Sequence, residues 1–469
     1  MQSSLLGYTI GEATPYRASF IALKQPRMGE YVILEFDGRR FLGLVELVVS
    51  GSVTLPEDVH DARIVEKIRR LGDSRDVYVK GRIQILGEIE TLEIPRTPPP
   101  PGTEVLEAGV DDLKNVFGPC GKQWIPVGTL IAHPEVEVYV NLNKIVSRHL
   151  AILAITGAGK SNTVAVLTEG ILARKGAVVI FDMHGEYTSL NFKNGRVNRI
   201  EPKINPSYMY VAELLTLMNI NPAMAFKQAA YFRRVYNRAR SLVKHYFNVE
   251  RTVKGLVECL FEAIREYEEA ARPYLEKKGR NSSKLKPPSD KGEISVGSSI
   301  EAREIIGKMF EIRSKLENML EEYRDVISDT APDVVDSIRK GYANVVDLGS
   351  VDERAADVIV SHYLRRILYE RKRARLGAES RLNYPILLVL EEAHILAPYD
   401  RETLSKKWIA RIAREGRKFG VGLCLVSQRP KALDVNALSQ ANNMIVLKPV
   451  SYTHLRAHET EADLVCRLL

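Results

Sequence analysis

The sequence predicts an α/β fold in which a parallel sheet carries a helical insertion and follows a small N-terminal β-barrel. Three features of the 469 residues lead to this prediction. Short apolar runs broken by turn signals occupy residues 1–95, strand–loop–helix units begin near residue 127, and a helix-periodic stretch interrupts those units. A chain of this length accommodates about two to four domains.

Residues 1–95 are predicted to form the β-barrel. The apolar runs at 31–36, 41–49 and 77–86 have strand length, and Asp37-Gly38 is a strong hairpin-turn signal. Several short strands at this spacing are typical of a small barrel. The proline cluster 98–101 then predicts a stiff, extended linker over residues 96–126.

Residues 127–204 and 344–449 are predicted to form the domain of the parallel sheet. A buried-strand pattern at 149–155 leads into a glycine-rich turn and an amphipathic helix, and residues 177–182 supply the next strand. This alternation of strand and helix indicates parallel pairing. Past residue 344 the pattern predicts a helix at 354–375 and strands at 345–348, 386–391, 421–426 and 444–447.

Residues 205–343 are predicted to form a helical insertion, because the segment is rich in Leu, Glu, Lys, Arg and Ala and has almost no strand signal. Within it, Lys277–Gly297 is polar, contains Pro287-Pro288, and predicts a disordered loop. Its basic residues either contact nucleic acid or lie in solvent, and the composition favours solvent.

Residues 450–469 are expected to be a non-native tail. The beginning of this stretch is His-rich and less hydrophobic than the sequence before it. Written back into codons, VSYTHLRAHET and LVCRLL can both be spelled in one frame by read-through of a transposon-type sequencing adaptor. On this interpretation the natural sequence is interrupted near Lys448 or Pro449, and the alternative is a native tail.

The composition excludes several classes of protein. Hydrophobic residues make up 45% and charged residues 27%, as in soluble globular proteins, and no apolar run reaches the length of about 18 that spans a bilayer. With no secretory signal pattern, we expect a cytoplasmic protein without a membrane partner. The net charge of +8 indicates either a polyanionic partner or a basic proteome. The four cysteines lack zinc or disulfide spacing and are predicted to be core thiols: Cys120, Cys259, Cys424 and Cys466.

The segment AITGAGKS, which begins at Ala154, matches a phosphate-binding loop except that alanine replaces the first glycine. A strand pattern precedes it and a helix pattern follows, so backbone N–H groups and a helix N-terminus can cradle phosphates. Lys160 then reaches the β and γ oxygens of ATP, and Ser161 binds Mg²⁺. The residues predicted to contact the nucleotide are Thr156, Gly157, Ala158, Gly159, Lys160, Ser161 and Asn162.

A second motif, YPILLVLEEAH, is a buried strand that ends in the paired carboxylates Glu391 and Glu392. Open α/β sheets bind ligands at this end of their strands. The pattern therefore predicts Glu391 in the magnesium shell and Glu392 as the acceptor of the proton of the attacking water. The alternative is a charged helix N-terminus, and we expect His394 to be structural.

Two further strands end in polar residues that are candidates for catalysis. Gln428, in SQRP, either senses the γ-phosphate and orients water or stabilises a turn. Asp182, in FDMHGEY, either polarises the water or magnesium shell or caps the turn.

Taken in order, AITGAGKS, FDMHGEY, LLVLEEAH, EGRKFGVGL and SQRP behind a β-barrel resemble the archaeal HerA hexameric DNA translocases of the HerA/FtsK superfamily. The resemblance implies a RecA-like P-loop ATPase core and a homohexameric ring on double-stranded DNA. It also implies a NurA-type nuclease partner in double-strand break end resection, with other end-resection proteins as further candidate partners. Arg148 and Arg417 match positions that such rings contribute across the subunit interface, and the alternative for each is an ordinary surface salt bridge.

Two other functions are compatible with the sequence. One is a conjugation or secretion ATPase of the same superfamily, which normally works with membrane segments or membrane partners. The other is an ATP-gated adaptor that recruits a nuclease through its barrel without acting as a motor.

Overall fold

The structure, a computed structural model, describes residues 4–55, 60–71, 77–119, 121–250, 252–276 and 298–447. The expected tail at 450–469, the predicted loop at 277–297, Cys120 and Cys466 lie outside these residues. The chain divides between Leu142 and Asn143 into two compact units, which are described separately.

The first unit contains a closed barrel of six strands in the order β1-β2-β5-β4-β3-β6. Strands β3 and β4 are joined at Asp37 and Gly38, whose φ angles of 53° and 71° give the two-residue turn that the sequence predicted. Gly81 in β5 faces the ring of Phe20, and a Cβ at this position would lie 2.1 Å from the ring. The strands are Leu5–Thr14, Arg17–Ala22, Tyr31–Phe36, Arg39–Ser52, Val77–Glu88 and Glu104–Glu107.

The linker prediction for residues 96–126 is wrong, because this segment supplies strand β6. That strand pairs with both β1 and β3 and places Val105 in the barrel core. The proline segment is held against the barrel, since the hydroxyl of Thr9 donates to the carbonyl of Pro100 at 2.8 Å. Strand β6 has only four residues, two apolar residues between two glutamates, so its sequence signal is weak.

Helices and a strand pair complete the first unit. Helices α1 (Ala62–Leu71) and α2 (Val110–Phe117) are followed by strands β7 (Trp124–Thr129) and β8 (Glu137–Asn141), which pair antiparallel. Residues 127–141 therefore do not belong to the parallel sheet, contrary to the predicted start of that domain at residue 127. Helix α3 (Leu142–Arg148) leads from one unit into the other.

The second unit is built on a seven-stranded sheet in the order β11-β12-β10-β13-β14-β9-β15, and every neighbouring pair is parallel. The predicted strands are all present. The prediction missed β11, an edge strand of sequence RVNRI whose polar residues carry no buried-strand signal. The strands β9 to β15 are Leu150–Ala154, Ala177–Asp182, Arg196–Ile200, Tyr342–Asp347, Ile386–Leu390, Val421–Ser427 and Asn443–Leu447.

The helices of the second unit share one continuous apolar core with the sheet, and this core extends into α6, α7 and α8 of the insertion. None of the described helices combines the length and the hydrophobicity of a membrane-spanning segment. Cys259 and Cys424 are buried free thiols, as predicted. The helices α4 to α12 are Lys160–Leu172, Val211–Leu217, Phe226–His245, Leu256–Glu276, Ser299–Glu322, Glu353–Arg375, Ala393–Leu396, Leu404–Phe419 and Val435–Ser439.

Candidate functional site

Four neighbouring strands bring the predicted site residues to one edge of the sheet. Strand β13 lies between β10 and β14, and β14 pairs with β9. Because these strands are parallel, their carboxyl ends meet at the same edge, which is where open α/β sheets bind ligands. The glycine-rich loop after β9, the paired carboxylates after β13 and Gln428 after β14 therefore converge.

The loop between β9 and α4 has the backbone of a phosphate cradle. Gly157 and Gly159 have φ angles of 75° and 100°, in the left-handed region that glycine adopts without strain. Helix α4 begins directly afterwards at Lys160, so its unpaired N–H groups and positive dipole end lie at the loop. Ala154 ends β9 without a positive φ, so alanine in place of the first motif glycine causes no strain.

Two side-chain contacts connect this loop to the neighbouring strand ends. The ammonium of Lys160 lies 3.3 Å from Glu392 Oε1, and the two side chains are only 12% and 6% exposed. The hydroxyl of Thr156 donates to Gln428 Oε1 at 2.6 Å. Asn162, on the first turn of α4, is exposed. Residues more than two hundred positions apart in the chain thus form one group.

Glu391 is a buried carboxyl within a cluster of acids. It is 2% exposed, and one of its oxygens accepts from the backbone N–H of Met183 at 3.2 Å. Burial, together with the negative charges of Asp182 and Glu186, raises the pKa of Glu391 to about 8. The hydroxyl of Ser161 donates to Glu186 in the same cluster. A cation at this position would relieve the repulsion.

The donors around Ser161 and Glu391 fit Mg²⁺. All of them are oxygens, which hard cations prefer, and the interactions of the buried Glu391 within the described residues include the negative charges of Asp182 and Glu186. Within the described residues, no group of three or more His, Cys, Asp or Glu side chains could hold a metal ion by itself. Mg²⁺ usually binds through one or two protein groups, nucleotide phosphates and water.

Glu392 has an unusual backbone conformation for a non-glycine residue. Its φ and ψ are 44° and 47°, a left-handed geometry that costs about 1–2 kcal/mol. The side chain is nearly buried, and its Oε2 lies 3.2 Å from Nδ1 of His394 without a well-aligned hydrogen bond. His394 also contacts the hydroxyl of Ser427 at 3.2 Å. Strain of this kind is concentrated at functional sites.

A cavity of about 700 Å³ opens beside Glu392 and Gln428, and His184 and His394 also line it. His184 Nε2 is 3.8 Å from Glu392 Oε1, and burial lowers the pKa of His394. The sequence prediction that His394 is purely structural did not anticipate its contact with the candidate catalytic acid. The cavity leaves room in front of Glu392 for groups that approach from outside the subunit.

Asp182 caps the turn after β10, which is the second of the two roles that the sequence left open. Its carboxylate accepts four backbone N–H groups, from His184, Gly185, Glu186 and Tyr187, at 2.8–3.2 Å. Three of these groups donate to Oδ1 and one donates to Oδ2, and the residue is 0% exposed. The role of Asp182 at the attacking water or the magnesium shell stays a prediction. Asp182 positions the loop that carries Glu186.

Arg148 and Arg417 both lie on the surface. Arg148 ends α3 and Arg417 lies in the last turn of α11. Both side chains are exposed, and neither has an ion pair or side-chain hydrogen bond within the part of the chain that the structure describes. The alternative of a salt bridge inside the subunit is thus not found for either residue.

The sequence reasoning missed Glu186 and His184 as members of the site. Both belong to FDMHGEY, from which only Asp182 was selected. The signal that could have found the site is the second acid of that motif, Glu186, four residues after the end of the strand. The turn at Gly185 (φ 74°) returns the chain to the edge of the sheet there.

Comparison with known families and proteins identifies the chain. The family model "Helicase HerA, central domain" matches residues 125–367, slightly more than half of the chain, and a HAS barrel domain model matches residues 6–91. The DNA double-strand break repair helicase HerA of Sulfolobus acidocaldarius is 42% identical over 447 residues, which cover 95% of this chain and 83% of that protein. The chain belongs to the HerA helicase family. The HerA of Saccharolobus solfataricus is 40% identical over 451 residues, covering 96% of this chain and 83% of that protein.

Membership of the HerA family makes the chain an ATPase, with an N-terminal barrel and a P-loop core as the sequence predicted. Among solved structures, the bacterial conjugative coupling protein TrwB is 15% identical with a TM-score of 0.43, over 72% of this chain and 75% of that one. The HerA assignment replaces the conjugation or secretion ATPase that the sequence left as an alternative.

Proposed function

We propose that this HerA-family chain is an ATP-driven DNA translocase and helicase that works as a homohexamer in double-strand break end resection. The relatives that cover most of the chain are named as helicases of DNA double-strand break repair. Its nucleotide site is the loop of Lys160 and Ser161 with the strand ends that carry Glu391, Glu392 and Gln428.

The observation that carries the proposal is the small number of cations in direct contact with the paired carboxylates. Lys160 is the one cation in contact with the paired carboxylates, apart from the histidines, among the described residues. Phosphoryl transfer needs additional positive charge on the γ-phosphate. Arg148 and Arg417 are exposed and unpaired within the described subunit, so they are available to a neighbouring subunit's site. Arg401, Arg429 and Lys431 of the same chain also line the cavity beside Glu392, and an arginine from a neighbouring subunit would add to their charge.

The contacts also suggest how nucleotide binding prepares the site. Lys160 exchanges Glu392 for the β and γ oxygens of ATP, because a triphosphate carries more negative charge than one carboxylate. Glu392 then loses its cation and becomes free to accept a proton from the attacking water. Gln428, tied to the loop through Thr156, orients that water or senses the γ-phosphate.

Magnesium is the proposed cofactor, bound by Ser161 and Glu391. When bound, the ion neutralises charge on the β and γ oxygens. Glu391 is held ready by its burial and by the backbone N–H of Met183. Asp182 and Glu186 strengthen the local negative potential that attracts the ion.

The proposed nucleic-acid substrate is double-stranded DNA, which the ring binds through phosphate contacts without reading the bases. The proposed protein partner is a NurA-type nuclease. The net charge of +8 favours a polyanionic partner. The remaining alternative function is an ATP-gated adaptor, which binds the nuclease but does not move along DNA. Stimulation of ATP turnover by duplex DNA distinguishes the motor from the adaptor.

Mixed rings test whether the site is completed by a neighbour. Arg417→Ala and Glu392→Gln are each expected to bind ATP and to lose most turnover. When they are mixed, some interfaces combine an intact Glu392 from one subunit with an intact Arg417 from the next. We therefore expect ATPase activity to rise above the sum of the two variants at intermediate mixing ratios.

The matched control is Arg414→Ala, which removes an exposed arginine from the same helix, three residues from Arg417. It is expected to retain the turnover of the parent. Subunit exchange is confirmed by the transfer of a fluorescence label. If activity never recovers at any ratio, Arg417 does not act across an interface and the proposal of a shared site fails.

A further inference from the structure

A second cavity in the ATPase unit is separate from the P-loop site. Its volume is about 430 Å³, within the range of ligand pockets, and none of the nucleotide-site residues lines it. Its walls come from the segment around Tyr208 and from α6, α9 and α11. These elements belong to one compact unit and one continuous core.

The lining of the cavity is strongly basic, with no acidic residue in its described part. Glu415 is shared by Lys372 and Arg411, so one carboxylate serves two of the cations. The cations that line the cavity are Arg240, Arg365, Arg366, Lys372 and Arg411. The carboxylates that pair with them lie outside the lining, which leaves a positive surface towards the cavity.

Two of these arginines are incompletely paired. Arg240 donates to the carbonyl of Ser207 at 2.6 Å and has no ion pair among the described residues. The side chain of Arg365 is only 7% exposed; one of its terminal nitrogens donates to the carbonyl of Tyr208 at 2.6 Å and lies 3.4 Å from Glu213, and its buried Nε has no hydrogen-bond partner in the described chain. A buried guanidinium with an unused donor is costly unless an acceptor reaches it. Both arginines therefore favour an anion in the cavity.

Aromatic rings alternate with these cations. The guanidinium of Arg365 lies 3.8 Å from the centre of the Tyr210 ring, and that of Arg366 lies 5.8 and 5.7 Å from the rings of Tyr208 and Tyr369. The three tyrosines are 41–55% exposed, which leaves ring faces open. The aromatic lining consists of Tyr208, Tyr210, Tyr236, Tyr369 and Trp408.

We infer that this cavity binds a nucleotide unit, with its phosphate on Arg240 and Arg365 and its base stacked among the exposed tyrosines. Guanidinium groups pair well with phosphate, and aromatic faces stack on any base without sequence preference. An inorganic anion alone leaves the aromatic lining unused. The nucleotide comes either from free mononucleotide or from a DNA strand, and only the strand source rests on the proposed function.

Trp408 provides a reporter inside the cavity. The chain has two tryptophans, so Trp124→Phe leaves Trp408 alone, 5.2 Å from the guanidinium of Arg411. Lys160→Ala is added to weaken nucleotide binding at the P loop. The full-length double variant is titrated with deoxyadenosine monophosphate and with a single-stranded deoxyadenylate of about ten nucleotides. We expect a saturable change in fluorescence with at least one of them.

Two substitutions in this background test the two halves of the site. Arg240→Ala and Tyr369→Ala are each expected to weaken binding about tenfold, through loss of a charged hydrogen bond and of a stacking face. Arg240→Lys should recover part of the affinity and keeps the test valid if the alanine variant folds poorly. Arg233→Ala is the control, because it removes an exposed arginine from the same helix outside the cavity.

The titrations distinguish a free mononucleotide from a DNA strand as the ligand, and both from the absence of a site. Saturation by the monophosphate assigns a free-nucleotide site, whereas saturation by the strand alone assigns a DNA contact. If neither ligand saturates, or if Arg233→Ala weakens binding as much as Arg240→Ala, the inference is overturned. It is also overturned if Arg240→Ala changes the subunit stoichiometry without any ligand response. ATP turnover by Trp124→Phe with Lys160 intact tests the proposed function separately, so the two failures are distinguishable.

Discussion

Replacing Glu391 with glutamine removes a carboxyl whose protonation is linked to folding. Burial and the charges of Asp182 and Glu186 hold its pKa at about 8 in the folded chain, compared with 4.5 for an ordinary glutamate. The folded state therefore keeps a proton that the unfolded chain releases. The stability from this group is complete below pH 4.5 and is lost as the pH rises through 8. Glutamine is neutral at every pH and removes this dependence.

The size of the effect follows from the two pKa values. Their difference corresponds to about 5 kcal/mol of unfolding free energy between the two ends of the pH range. For a cooperative unit of roughly 300 residues, this amounts to about 8 °C in Tm. The Tm of Glu391→Gln is therefore expected to rise relative to the parent by several degrees between pH 5 and pH 9.

The measurement is thermal unfolding followed by circular dichroism at pH 5, 7 and 9 in the presence of EDTA. Glu379→Gln is the control, because Glu379 is exposed and its substitution should leave the pH profile of the parent unchanged. A repeat with ADP and Mg²⁺ should flatten the profile of the parent, since a bound cation replaces the proton.

Parallel Tm curves for the parent and Glu391→Gln from pH 5 to pH 9 would show that Glu391 is ionised in the metal-free fold. The burial and acid-cluster argument for its role would then be refuted. If the Tm of the parent still depends steeply on pH after Mg²⁺ and ADP are added, the raised pKa of Glu391 is supported but Mg²⁺ does not bind to Glu391.

Three further results are expected. Lys160→Ala should lower ATP turnover by far more than tenfold, because the ammonium on the β and γ phosphates is lost, and a rate within tenfold of the parent contradicts the assignment. Glu392→Gln should retain bound ATP without hydrolysing it, since an amide cannot accept the proton of water; filter binding of labelled ATP checks this, and loss of binding would make Glu392 structural. Affinity for duplex DNA should fall steeply with salt and vary little between sequences, and a flat salt response in an anisotropy titration argues against phosphate-dominated binding.

The motifs could be predicted from the sequence because each is local. A glycine-rich turn between an apolar strand and a helix, or two acids at the end of a buried strand, occupies about ten consecutive residues. The convergence of these motifs could also be predicted, because the carboxyl ends of parallel strands lie at the same edge of the sheet. The predicted order along the chain therefore placed Gln428 beside the strand of Glu391, and the structure confirms this neighbourhood.

The individual contacts could not be predicted, because they join distant parts of the chain. Lys160 and Glu392 are 232 residues apart, and their approach depends on the left-handed backbone at Glu392, which glutamate rarely adopts. The sequence left two roles open for Asp182, and only the structure shows the four backbone N–H groups that its carboxylate accepts. The short strands β6 and β11 were not predicted, because they are defined by backbone pairing with neighbouring strands rather than by a hydrophobic pattern.

Closure of the barrel by β6 determines where the N-terminal domain can be cut for separate expression. A recombinant fragment that ends at residue 95 would lack Val105 and leave β1 and β3 each with an unpaired edge. Exposed edges of this kind recruit strands from other chains, so such a fragment is a candidate for aggregation rather than a working domain. A fragment that continues through Asn141 keeps the sixth strand, α2 and the β7–β8 pair, and it is the smallest piece that preserves every described element of this unit before α3.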